Sequence, residues 1–398
     1  MRYLIIVNNR AFRGGRGVLK ERGMLWRLAL LWVLFTARVL AYNGVATFYL
    51  GTYTGHSDSQ GIYVGTLDTV TGHLSALKLA VAEKDPNFLA ISPDHQFLFA
   101  ALKDGVESFK IQSDATLKPI STRTISGSDI CHVGVDRTGR ALFVANYGGG
   151  SISSFPVDGE GKIGEVASTM TFIGHGPNPK RQQRPFAHSV YTDPLNAFLY
   201  VCDLGTDDVW CFKLGPGAKL TPADPPSGKV PPGSGPRHLA FNAVGSLVYV
   251  VNEMGVSTSV FSRDSTTGAL TLRDTVSNVW PGDPISGTTA AEIVLHPSGK
   301  WLYVSNRDAG HDTISVFAID GKGGLKLVQS VPSPVKWPRS FGIDPTGHWI
   351  IAAGQNDNMI SELQVDPATG HLTPTNASAM VGSPVCVLFL PDGMLNMR

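Results

Sequence analysis

The chain of 398 residues carries 33 Lys and Arg against 32 Asp and Glu, a formal net charge of +1, with no run of basic residues. That balance excludes a nucleic-acid footprint, which needs a concentrated cationic face. Its 44 glycines and 26 prolines are spread along the whole length, which fits many short strands joined by many turns and excludes a low-complexity linker.

The first forty residues differ from the rest. Arg10, Arg13, Arg16, Lys20 and Arg22 precede an apolar stretch from Met24 to Ala37, and Val39-Leu40-Ala41 resembles a small-residue cleavage site before Tyr42. Residues 1–41 read as a signal-like leader, with Met24 as an alternative start. A functional leader implies export, periplasmic or secreted; otherwise the protein is cytoplasmic. The stretch is short for a spanning helix and carries Arg27 and Arg38, so no membrane association is expected beyond an uncleaved leader.

From Phe48–Gly55 onward two patterns interleave. In the first, a turn of the type Pro-Asp-x-Gly opens a strand of large apolar residues that ends on a polar one. Its six copies are Ser92–Lys103, Asp136–Tyr147, Asp193–Asp203, Asn242–Glu253, His296–Arg307 and Asp344–Gln355. In the second, a strand runs into a turn rich in Asp, Thr and Gly and then into another strand. Its seven copies close on Leu74, Leu117, Ile163, Leu220, Leu270, Leu325 and Leu372, at spacings of 43, 46, 57, 50, 55 and 47 residues.

A period of ~40–50 residues holding four strands is the signature of propeller blades. The expected fold over residues 42–398 is therefore all-β, a seven-bladed β-propeller. After Leu372 one apolar strand, Val385–Leu390, has no successor, and Phe48–Thr52 at the other end has no predecessor. Pairing of these two strands would close the ring and hide its edges. Cys131, Cys202, Cys211 and Cys386 lack metal-site spacing, and a bridge between Cys202 and Cys211 across a hairpin is left open.

In each inner hairpin the first residue of one strand neighbours the last of the next, so the ring gathers these positions on one rim. They are unusually polar. His188, Arg237, Glu253 and Arg307 bring one imidazole, one carboxylate and two guanidinium groups, a set able to grip an anion and move a proton, and are the expected catalytic residues. His132, Asn146, His238, Asn252, Glu292, Asn306, Arg339 and Gln355 are the expected substrate-binding shell; the alternative is that they plug the channel with hydrogen bonds. No HxH, HExxH or GxSxG array is present, and Tyr147-Gly148-Gly149-Gly150 is not followed by a helix pattern, so neither a metal nor any other cofactor is expected.

The segments YLGTYTG near the start, Gly235–Phe241, Val248–Glu253, Ala290–Arg307 and Pro338–Gly347 resemble the lactonase family of seven-bladed propellers, which includes bacterial 6-phosphogluconolactonase and fungal carboxy-cis,cis-muconate cyclase. The match runs from about Thr47 to Pro391. The resemblance implies hydrolysis of a sugar lactone or a related anionic lactone, with His188, Arg237, Glu253 and Arg307 as the site. One departure is Pro185-Phe186-Ala187-His188, which lacks the first histidine of the family's segment. His188 or Glu253 is then the expected base, with Arg237 and Arg307 holding the anion. A ring-closing cyclase and a non-catalytic exported propeller that binds carbohydrate or protein are the alternatives, and oligomeric state is left open.

Overall fold

The computed structural model describes residues 44–390 except 56, 126–128, 284 and 309; the leader expected at 1–41 lies outside them. Twenty-eight strands form seven four-stranded antiparallel sheets among the described residues. The inner strands are Phe88–Ile91, Ile130–Val135, Ala187–Thr192, Pro236–Phe241, Thr289–Leu295, Pro338–Ile343 and Pro384–Phe389. The last of these pairs with Val45–Thr52, in register Phe48 with Phe389 and Leu50 with Val387. The chain ends thus complete one blade, as the unmatched strands required.

The repeated turn residues explain themselves locally. Asp136 Oδ1 accepts from the N–H groups of Arg140 (2.7 Å) and Ala141 (2.9 Å). Asp193 does the same for Ala197 and Phe198, both at 2.7 Å, and Asp344 for Trp349 at 2.7 Å. At the outer turns Asp264 Oδ1 accepts from Thr266 and Thr267 at 2.8 and 2.9 Å, and these backbone donors hold its carboxyl below the usual range.

The same turns stitch blade to blade. Tyr49, Tyr200, Tyr249 and Tyr303 occupy equivalent second-strand positions, and each donates its hydroxyl to the outer turn of the next blade. Tyr303 reaches the Gly370 carbonyl at 3.1 Å, and a side chain at Gly370 (φ +71°) would sit 2.3 Å from the Trp301 ring. Between sheets lie apolar clusters such as Tyr303, Val316, Phe341, Ile350 and Leu363. Such burial is worth roughly 25 cal/mol per Å² of apolar surface, so the blades cohere through their faces. Cys202 opposes Val209 and Cys211 opposes Tyr200, so the two thiols are out of register for a bridge, and all four cysteines are free.

Candidate active site

At the rim end the inner strands stop pairing regularly. Six of the seven carry a bulge there, which leaves Cys131, His188, Arg237, Glu292 with Ala291, Arg339 and Val385 out of the ladder. A bulged residue is released from the alternation of the strand, so its side chain can be re-aimed. Four of the polar residues expected at the rim occupy these positions.

A cavity of about 570 Å³ opens at this end, and Tyr53, Cys131, Tyr147, Arg181, His188, Glu253, Arg307, Arg339 and Gln355 are among its lining residues. Glu253 is its centre. One carboxylate oxygen, Oε1, meets Arg181 Nη2 at 2.6 Å; the other, Oε2, meets Arg307 Nη2 at 3.2 Å and Arg237 Nε at 3.3 Å. Burial alone would push this carboxyl up, but Arg307, Arg237 and Arg181 outweigh it and bring it down to about 2. Glu253 is therefore a fixed anion and a weak base.

His188 is the complementary group. Burial, followed by the charge of Arg237, pushes its imidazole well below the ordinary value, so it is neutral at physiological pH. It is 4% exposed, Tyr147 lies edge-on to it at 5.5 Å, and its Nδ1 has no hydrogen-bond partner among the described residues. Arg181, Arg307 and Arg339 line the cavity together with Lys103, against the carboxylates of Glu253, Asp85 and Asp129, and Arg237 adds a further cation behind Glu253. Arg307 also lies beneath the Trp337 ring, 5.4 Å from its centroid.

Not every expected residue reaches the cavity. Arg237 is buried beneath it, with Nη1 donating to the Ala291 carbonyl at 2.7 Å and lying 3.3 Å from His238 Nε2. It holds Glu253 from behind and is not among the residues that line the cavity, whereas from the sequence it was expected to hold the anion there. Asn252 and Asn306 are turned sideways: their Nδ2 atoms donate to Ser257 and Ser259, and to Thr313 and Ser315, which ties the second strand of the blade to the third. Asn146 Oδ1 accepts from Gly149 and closes its own turn.

His132, His238 and Glu292 lie within the central channel. His132 stacks on Phe88 at 4.0 Å, and His238 Nδ1 and Glu292 Oε1 share a hydrogen bond of 2.8 Å. Of the expected substrate-binding shell, Arg339 and Gln355 line the cavity; His132, His238 and Glu292 pack against one another and Phe88 on the inner strands, and Asn146, Asn252 and Asn306 brace their own turn or blade. Phe186, where the family-like segment lacks its histidine, packs on Tyr147 at 4.8 Å. Among the described residues, no group of three or more His, Cys, Asp or Glu side chains is placed to hold a metal ion.

Tyr53, Asp85, Asp129, Cys131 and Ser383 line the cavity without having been expected there, and so do two residues that meet the expected catalytic groups, Tyr147 beside His188 and Arg181 on Glu253. Tyr147 was read only as part of a glycine-rich loop. Arg181 belongs to the segment between Thr171 and Ala187, and its one signal was the 57-residue spacing from Ile163 to Leu220, the longest in the chain.

Comparison with known proteins agrees with this architecture. The family model described as Lactonase, 7-bladed beta-propeller matches residues 47–389. A Bacillus subtilis (strain 168) 6-phosphogluconolactonase is 32% identical over 348 residues, covering 86% of this chain and 97% of that protein. A Formosa agariphila 6-phosphogluconolactonase is 33% identical over 81% of this chain and 94% of its own length. The solved structure of the Pseudomonas aeruginosa periplasmic gluconolactonase superposes with a TM-score of 0.81 at 28% identity, covering 87% of this chain and 99% of that one. The chain belongs to the Lactonase family of seven-bladed β-propellers.

Proposed function

We propose that this protein is a lactone hydrolase, 6-phosphogluconolactonase-like, that opens a sugar lactone or a related anionic lactone. The observation that carries the reading is the buried His188 imidazole, its Nδ1 unpartnered among the described residues, in the same cavity as the Glu253-centred guanidinium cluster. His188 takes a proton from water, and the resulting hydroxide attacks the ring carbonyl. Arg307 and Arg339 face the oxygen on which negative charge develops. The tetrahedral intermediate collapses with cleavage of the ring C–O bond, and His188 returns its proton to the departing hydroxyl oxygen. The product is the open hydroxy acid.

Glu253 keeps the cationic side chains oriented and offsets part of their repulsion. The sequence left His188 and Glu253 open as the base; the three guanidinium partners of Glu253 favour His188. In folded protein, His188→Asn and Glu253→Gln should each lower kcat/KM on 6-phosphogluconolactone by ~10²–10³. Unchanged turnover in both would remove the assignment. Because the His188 pKa is lowered and the neutral form is the active one, the acid limb of kcat/KM should lie below pH 6.5, with no loss from pH 7 to 8.

The leader extends this reading to an exported enzyme. An intact mass for a mature chain that begins at Tyr42 is the expected result, and a chain that retains residues 1–41 counts against export.

A further inference from the structure

Three guanidinium groups hold Glu253, and they are not equivalent. Arg237 and Arg307 are at most 4% exposed, and each is fixed by a backbone carbonyl, Ala291 at 2.7 Å and Ala290 at 3.1 Å. Arg181 comes from a loop, its side chain is 41% exposed, and its one ion pair among the described residues is to Glu253 Oε1. Glu253 is 8% exposed in this pair and Arg181 also hydrogen-bonds the Tyr147 side chain, but of the three cations only Arg181 reaches solvent, so it is the partner that a ligand arriving through the cavity can draw away.

The loop backbone does not share that freedom. Gln182, next in sequence, is fully buried, and its Nε2 donates to the Leu204 carbonyl at 2.9 Å and to Asp207 Oδ1 at 2.8 Å. Asp207 in turn accepts from Gly233 and Gly235, which binds the loop to the segment that leads into Arg237. Asn178 Oδ1 accepts from the N–H groups of Lys180 and Arg181. Arg181 is thus a half-exposed arm on a backbone pivot held by buried hydrogen bonds at the wall of the cavity.

Releasing this arm does not strand Glu253. Its Oε2 stays paired with Arg237 and Arg307, so a buried charge remains compensated while Oε1 is vacated. A guanidinium that trades a carboxylate oxygen for a phosphate or carboxylate of the ligand keeps its charge-assisted bonding throughout. We infer that Arg181 binds the non-reacting anionic group of the substrate by exchanging away from Glu253 Oε1, and that it sets the preference for anionic over neutral lactones. This inference rests on the lactonase reading.

The test compares wild type, Arg181→Gln and Arg181→Lys on 6-phosphogluconolactone, on the carboxylate-bearing glucaro-1,4-lactone and on neutral glucono-1,5-lactone. In Arg181→Gln, kcat/KM for an anionic lactone should fall at least ~10-fold further than for the neutral one, mainly through KM. Arg181→Lys should recover part of the difference. Which anionic lactone shows the larger effect identifies phosphate or carboxylate as the group read. Equal losses on all three lactones would overturn the inference, because Arg181 would then only support Glu253. If wild type opens none of them, the lactonase reading fails, and calorimetry with inorganic phosphate still decides about Arg181: binding lost in Arg181→Gln supports it and unchanged binding overturns it.

Discussion

The two ends of the inner strands have the same topology and opposite chemistry. At the turn end, Asp136, Asp193 and Asp344 satisfy backbone N–H groups of their own hairpins, and the strands enter in register. At the rim end the ladder is bulged, charged groups from distant blades converge, and His188 Nδ1, Arg307 Nε and Gln355 Oε1 are buried without hydrogen-bond partners among the described residues. One end spends its polar groups on folding. The other holds them in reserve, and a ligand or water can complete them.

That contrast breaks most sharply at Arg237, which belongs to the rim by charge and to the core by position. Arg237→Met removes a fully buried guanidinium, leaves the Ala291 carbonyl without its donor, and takes one of the three cations from Glu253. Loss of one partner from a buried ion pair costs about 3 kcal/mol, and disorder of Glu253 should lower kcat/KM by ~10². Thermal unfolding and lactone turnover on one preparation check both effects. A variant with wild-type melting and activity would mean that Arg237 is neither a brace nor a part of the site.

At the turn end a substitution should hurt stability alone. Gly370→Ala must accommodate a Cβ against Trp301 at a backbone φ of +71°, and should cost about 2 kcal/mol. Tyr303→Phe keeps the ring and deletes the hydroxyl that reaches the Gly370 carbonyl of the next blade, at about 1 kcal/mol. Both positions lie away from the cavity, so kcat/KM should stay within about twofold of wild type. If either change alters turnover more than it alters Tm, the two ends of the blade are coupled.

The same division decides what could be read in the sequence. Blade count and turn positions were legible because they rest on repeated local chemistry, such as the Asp in six of the seven outer turns (Asp68, Asp114, Asp158, Asp264, Asp320 and Asp366) and the apolar strand after each inner turn, and ring closure followed from the two unmatched strands. His188, Glu253, Arg307 and Arg339 were legible as rim positions because each stands where an apolar strand begins or ends. The bulges at His188 and Arg339 were not, since one extra residue at a strand end leaves no mark in a two-residue alternation. Arg181 was hidden for another reason. It lies outside every repeat, and the buried bonds from Gln182 to Leu204 and Asp207, 22 and 25 residues away, carry it to the rim. Asn252 and Asn306 were read as site residues because strand-end polarity looks the same whether a side chain faces the cavity or the neighbouring strand.

A smaller effect probes polar groups that belong to neither end. Glu362 lies mid-strand in Met359–Val365 and is buried; its Oε1 accepts from Thr375 Oγ1 at 3.0 Å, while Oε2 has no partner among the described residues. Burial, only partly offset by Thr375, pushes its carboxyl up to about 7 from an ordinary 4.5. A raised carboxyl pKa favours the protonated fold. The native state therefore carries no penalty below pH 4.5, loses stability as pH rises from 4.5 to about 7, and bears the full penalty above that. Glu362→Gln keeps the shape and removes the ionisation, so it should raise stability at pH 8 by on the order of 1 kcal/mol and leave it nearly unchanged at pH 4.5. Melting curves of the two proteins at these pH values measure the difference directly. A gain of equal size at both would show that the cost of Glu362 is its unpaired oxygen and not its charge.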